Sequence, residues 1–505
     1  MRKKAILLTG ANMPTVHDHP ADSVFIHNGI IQAVGKEADL KPHLPAGTMR
    51  KDLEGATLLP GLVDGHVHFA ATGFLEYAID CSECETLPEL LDAIHHQAQR
   101  KAAGELILGL KLAAEKFPRR RNPNLDELEA AAPNNPIYLR HRTGHSSVAS
   151  RSALALLDFP RGQAGVQLDD HGQPTGYLIA QATQIATQRM YKLNAAQLGY
   201  RQAFEAASAR AIAAACTCVH ALDDLEAVEM LLECEEDLPI RVVPYTQSFD
   251  LAAVMELGLP RIGGCHGCAL DGDFDMRTAA LLTPYLNSDH YGILYHNDFS
   301  LQGFVLQAHS EGLQVAFHAV GDRAVEQALS AFEYAQREHP RPDARHRIEH
   351  AQLISDEQLE RATIAGVVLS IQPAFNHVWD HHTYAEYVGE RCVEVDPLAR
   401  LVKAGLPLVG GSDSTVTELH PLLGIHAALN HSLPSQSIDV RTAVDMFTRG
   451  AAYSSFHENN RGSIREGYDA DLSILAEDPF TINPEDIKDI EPLMTVVDGD
   501  IVFEA

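Results

Sequence analysis

Two histidines one residue apart, His66 and His68, close the stretch GATLLPGLVDGHVHF, and imidazoles so spaced can hold one divalent metal ion. Spacing alone decides little. With 27 His in 505 residues, chance supplies roughly one or two His-x-His triplets on composition alone, and a second, His17-Asp18-His19, lies in the loop-like PTVHDHPADS. Context separates the two. LLPGLVD is short, apolar and β-branched, the pattern of a buried strand. On a strand, residues i and i+2 face the same way, so His66 and His68 can offer two ring nitrogens to one ion. His17 and His19 sit among Pro, Asp and Ser and carry no such expectation.

Three more apolar runs end in a metal-capable side chain: QVAFH in His318, RIEH in His350 and LVGGSD in Asp413. Any one of them reads as a hydrogen-bonded polar residue at a strand end. Together with His66 and His68 they form a ligand set. A divalent ion lowers the pKa of its water to about 7, Asp413 can take that proton and pass it to a leaving group, and the ion or His350 can stabilise the oxyanion.

The elements that must bring these residues together are strands alternating with helices. TCVHA, IRVVPY, CALDG, QVAFHAVGD, HRIEHAQL, VVLSIQP and PLVGGSDS are separated by helical stretches such as AVEQALSAFEYAQREH. The pattern predicts an α/β protein, a TIM-like (β/α)8 barrel whose active site gathers at the C-terminal strand ends. Both ends of the chain look different, with short β-like segments and the hairpin signals Asn28-Gly29 and Asp498-Gly499. They predict a small β-sandwich domain formed from both termini. The expected division is 1–57 and 456–505 for that domain and 58–455 for the barrel, with an insertion around 75–205.

A formal charge of −30 argues against nucleic acid and anionic membrane as partners. That leaves a small-molecule substrate, with a homodimer as an open option. The apolar run at the start is only AILL, too short for a signal segment, and no run of about 18 apolar residues occurs, so a cytoplasmic protein is expected. The eight cysteines are scattered and should be reduced. Cys81/Cys84, Cys216/Cys218 and Cys265/Cys268 lack a second pair at finger spacing, so structural zinc is not expected.

Read together, DGHVH at a first strand, His318 at a fifth, His350 at a sixth and Asp413 at an eighth resemble the amidohydrolase superfamily. LLPGLVDGHVHF, LDGDFDMRTAALLTPY, HRIEHAQLIS and GSIREGYDADLSIL are similar to its amidohydrolase-3 branch, which includes N-substituted formamide deformylase. The resemblance implies that His66 and His68 bind one metal, that His318 and His350 bind a second where present, and that Asp413 is ligand and proton shuttle. It implies zinc, as one or two ions. His145 in RTGHSSVAS matches a family histidine near substrate, and Arg277, Tyr285, Gln372 and Trp379 fall in segments expected at the barrel mouth.

One departure stands out. Members of the branch often carry a carboxylated lysine before the DG of the fourth strand, bridging two metals. GGCHGCALDGDF, residues 263 to 274, has none. Cys265, His266 or Cys268 could substitute, with Cys268, nearer the DG, slightly favoured as the thiolate; the equal alternative is that Cys268 packs in the strand and the site holds one metal. The expectation is a metal-dependent hydrolase of a C–N bond in an amide, formamide or N-acyl compound. A mononuclear deaminase of a cyclic amidine is the alternative within enzymology, and an inactive scaffold is the one outside it.

Overall fold

A computed structural model describes residues 5–16 and 20–505. His17 and His19 lie outside them. Eight parallel strands form the central layer: β1 (Leu62–Val67), β2 (Cys216–Asp223), β3 (Arg241–Thr246), β4 (Arg261–Ala269), β5 (Gln314–Ala319), β6 (Arg347–His350), β7 (Val368–Ile371) and β8 (Leu408–Gly410). Ladders join β3-β2-β1 and β4-β5-β6-β7-β8. The second sheet returns to the first where Asp413 N–H donates to His66 O at 2.8 Å and His68 N–H to Ser414 O at 2.9 Å. The result is a TIM-barrel-like α/β fold with a seam, since no ladder joins β3 to β4. The expected ring is therefore incomplete. Gly263 and Gly264 of β4 hold φ of 106° and 122°, and the register of β4 against β5 slips between Gly264 and Ala269.

Strand periodicity explains the two faces of this layer. Val63, Cys218, Leu222, Val243, Tyr245, Cys265 and Ala316 pack in one cluster inside the strands. Ile262, Cys268, Val315, Phe317, Ile348 and Leu369 face the other way, onto helices. The helix Asp322–Glu338 presents Val325, Ala328, Leu329, Phe332 and Ala335, spaced three and four apart, to that outer layer.

Two four-stranded sheets flank the barrel end. One comes from residues 6–9, 23–27, 30–35 and 49–52, the other from 57–60, 472–475, 492–497 and 500–504. They share one apolar cluster drawn from both ends of the chain, with Ile6, Val24 and Leu58 against Leu472, Met494 and Val496. Asn28-Gly29 and Asp498-Gly499 have positive φ at both positions and make the two-residue hairpin turns that their sequences announce. Between β1 and β2 runs a separate six-stranded sheet, Ile79 to Ile179. Among the described residues no helix is long and apolar enough to cross a membrane.

The helix Phe69–Phe74, which continues from His68, is held by close contact with the helix Tyr200–Ala213. A Cβ at Gly73 would stand 1.8 Å from the Ala203 carbonyl oxygen. Gly73→Ala should therefore cost about 1–3 kcal/mol through overpacking, read as a lowered melting temperature. An unchanged melt would show that the two helices are not in that contact.

Candidate metal centre

His66, His68 and Asp413 meet at the C-terminal ends of β1 and β8. His66 Nε2 lies 3.4 Å and His68 Nε2 3.0 Å from Asp413 Oδ1. The other ring nitrogen of each histidine is committed elsewhere. His66 Nδ1 donates to Glu349 Oε2 at 2.8 Å, and His68 Nδ1 donates to Leu222 O at 3.0 Å, an oxygen that also receives the Gln247 amide. Both Nε2 atoms therefore present lone pairs toward a carboxylate oxygen that is itself buried without a hydrogen-bond partner among the described residues. Three electron-rich atoms facing one another need a cation among them, and the set fits a divalent metal. Without one, a proton takes the place. Burial disfavours the charged form of His66, yet Cys265 and Asp413 hold its pKa well above the ordinary value, so metal uptake must displace that proton.

Glu349 is the support of this arrangement. Its carboxylate receives Arg347 Nε and Nη2, each at 2.9 Å. Arg347 in turn reaches His220 Nδ1 and Tyr245 OH at 3.0 Å and Gly65 O at 2.9 Å. Both charges are fully buried. Burial works against a charged Glu349, but Arg347 and His66 hold its carboxyl far below the usual carboxylate range.

A second set of donors shares His66. Cys265 Sγ lies 3.4 Å from His66 Nε2 and 3.6 Å from His350 Nε2. These three atoms and the His66–His68–Asp413 set are the two convergent groups of three among the described residues. The expectation that favoured Cys268 is not met. Three residues apart on one strand, the two cysteines take opposite faces, and Cys268 packs in the apolar layer against the helices. Burial pushes the Cys265 thiol up to about 11, with His66 opposing, so thiolate forms there only beside an added positive charge. His266, the third candidate, accepts from Arg140 Nη2 at 2.5 Å, and its ring lies 4.3 Å from that of His68, tilted by 33°.

His350 donates from Nδ1 to Gln372 Oε1 at 2.7 Å. Its Nε2 is then an acceptor, which suits a ligand and not the oxyanion donor considered from the sequence. His318 stands 4.6 Å from the His350 ring and its Nδ1 3.3 Å from Asp271 Oδ1, in neither convergent group. His145 packs 5.0 Å from His318, and both line a pocket with His350 and Asp413. Trp379 borders the same pocket, as expected. Arg277 does not: its guanidinium lies over the Tyr285 ring at 5.8 Å, and the Tyr285 hydroxyl donates to Ala279 O at 2.9 Å. The sequence reading missed Glu349, Arg347 and Arg140. The signal for the first two was present in HRIEH, where opposite charges two apart share one face of a short strand.

The fold and this donor set define a barrel-like protein with a buried centre fit for hydrolytic metal chemistry. Residues 51–503 match the model of the amidohydrolase family, described as Amidohydro_3, and the chain belongs to that family. It is 28% identical over 515 residues to YtcJ of Bacillus subtilis, covering 96% of each chain. It is 24% identical over 546 residues to the N-substituted formamide deformylase of Arthrobacter pascens, covering 99% of this chain and 98% of that one. Among solved structures, an uncharacterized metal-dependent hydrolase from Pyrococcus horikoshii superposes with a TM-score of 0.79 at 25% identity, covering 95% of this chain and 99% of that one. The family resemblance read from the strand-end motifs is borne out.

His66→Ala and His68→Ala should each lose metal by elemental analysis while keeping the wild-type circular dichroism, whereas a His17→Ala/His19→Ala variant should keep full occupancy. Metal retained in a His66/His68 double variant would remove the assignment. The cysteines divide the same way. Cys265→Ser should lower metal content or affinity, because a hydroxyl is a far poorer ligand than a thiolate, and Cys268→Ser should leave content unchanged at a stability cost of about 1 kcal/mol.

Proposed function

We propose that this protein is a metal-dependent hydrolase of carbon–nitrogen bonds acting on an amide, a formamide or another N-acyl compound. The observation that carries this reading is the convergence of His66 Nε2, His68 Nε2 and Asp413 Oδ1 on one buried point at the edge of a pocket. Zinc suits the imidazole and carboxylate donors, and Cys265 and His350 are the donors left for a second ion, since the single Nε2 lone pair of His66 serves one ion only. When bound, a divalent ion polarises a carbonyl and makes water acidic enough to ionise near neutral pH. In this reading Asp413 would take the proton of the attacking water and return it to the leaving nitrogen. Glu349 and the Leu222 carbonyl keep His66 and His68 in the tautomer that leaves Nε2 free. The likeness to a protein whose name states formamide deformylation supports the choice of bond. In this reading residues 58–455 form the catalytic unit, and 1–57 with 456–505 form a β-sandwich beside it.

The experiment is a screen of the zinc-loaded protein against N-formyl and N-acyl amines, with products identified by mass. A carboxylate plus an amine is expected. Ammonia from a cyclic amidine, with no carboxylate formed, would replace this reading with a deaminase. On the substrate found, Asp413→Asn should keep the fold and much of the metal yet lower kcat by about 10²–10⁴-fold. Near-normal turnover by that variant would remove Asp413 as the proton acceptor.

A further inference from the structure

The pocket beside His318, His350 and Asp413 has a composition that the hydrolytic centre does not require. It is open to solvent on one side. Its apolar walls are two edge-to-face aromatic pairs. Phe375 and Trp379 lie 5.2 Å apart at 72°, and Phe274 and Tyr384 lie 5.3 Å apart at 66°. The first pair follows β7, and the second joins the segment after β4 to the helix His381–Val388.

Besides Asp413, two carboxylates, Asp273 and Asp275, line the same pocket, and among the described residues no arginine or lysine does. Asp275 is fully engaged. It meets Arg142 Nη2 at 3.1 Å, the Trp379 indole N–H at 3.0 Å and the Tyr387 hydroxyl at 3.1 Å. Arg142 is also held by Glu115, Nε to Oε1 at 2.8 Å, and its guanidinium covers one face of Trp379 at 4.6 Å. That one cation thus serves two carboxylates. Asp273 has no ion pair among the described residues. Its Oδ1 receives the Met276 N–H at 2.9 Å, while its Oδ2 is buried with no hydrogen-bond partner, near the Thr143 side chain. A buried carboxylate oxygen left open beside four aromatic rings is costly unless a ligand completes it.

We propose that this pocket is a cage for an alkylammonium cation, seated among Phe274, Phe375, Trp379 and Tyr384 with its charge toward Asp273. Aromatic faces attract cations through their quadrupole and do so more strongly where water is excluded, and the carboxylate adds the counter-charge. An anionic group is disfavoured by Asp273 and Asp275, and a neutral apolar group would leave Asp273 Oδ2 unmatched. Resting on the hydrolase reading, the inference narrows the substrate to an N-acyl compound that carries an ammonium or quaternary ammonium group near the scissile bond.

Trp379 is the sole tryptophan of the chain, so its fluorescence reports on this pocket alone. The zinc-loaded protein is titrated with choline and with 3,3-dimethylbutan-1-ol, its neutral carbon isostere, and the affinities are checked by calorimetry. Choline should bind saturably and at least about tenfold more tightly than the alcohol. Asp273→Asn and Phe375→Leu should each weaken choline by about tenfold while their melting curves stay close to wild type and the alcohol is bound as before. Equal affinities, no binding of choline, or indifference to both variants would overturn the cage. The two readings fail separately. Choline binding without hydrolysis of any N-acyl amine removes the proposed reaction and leaves the cage, whereas hydrolysis with no gain in kcat/KM for cationic over isosteric neutral substrates removes the cage as a specificity site.

Discussion

A single buried ion pair carries the geometry of the centre. Arg347 and Glu349 have no exposed side-chain surface, yet between them they touch β1, β2 and β3 from β6, through His66, Gly65, His220 and Tyr245. Placing such charges inside the strands is expensive, and the pair is tolerable only because almost every donor and acceptor is matched. The same matching fixes the His66 tautomer. Removal of either partner would strand a buried charge, at a cost of about 3–5 kcal/mol, and would release the imidazole that both convergent donor sets share. Stability and metal readiness therefore rest on the same contacts.

The centre also depends on backbone that leaves regular strand geometry. Glu349 faces inward, so alternation would turn His350 outward. Instead His350 has φ of 73° and Ala351 of 46°, and this left-handed turn brings the His350 ring into the mouth. His266, which follows the inward-facing Cys265, has φ of 41°, and Asp413 has φ of 53°. Residues with Cβ atoms enter that region at a cost of order 1–3 kcal/mol, and they persist where the surroundings over-determine them. Here Gln372 anchors His350, Arg140 anchors His266, and the Asp413 N–H is tied to His66 O.

Much of this was legible in the sequence for a physical reason. Strand-ending histidines and an aspartate follow apolar runs, and parallel strands must bring such ends to one face, so His66, His68, His350 and Asp413 could be grouped before any coordinates. The hairpins at Asn28-Gly29 and Asp498-Gly499 were equally local. Register was not. Whether Cys265 or Cys268 faces inward turns on a slip in β4 that no local pattern encodes. Arg347 and Glu349 read as charged surface until the strands enclose them. Asp273 and Asp275 lie in a loop whose path depends on Arg142 from the six-stranded sheet, far away in sequence.

The pairing of Thr57–Pro60 with Leu472–Leu475 has a consequence in time. The earlier strand leaves the ribosome some four hundred residues before its partner exists, an interval on the order of 20 to 80 s at usual elongation rates. During that interval Thr57, Leu58 and Leu59, all buried in the finished protein, have an open edge and no cover. Such an edge invites pairing with whatever strand is nearby, so the nascent chain has a long window in which a holdase chaperone would change the yield of folded protein without altering its final stability.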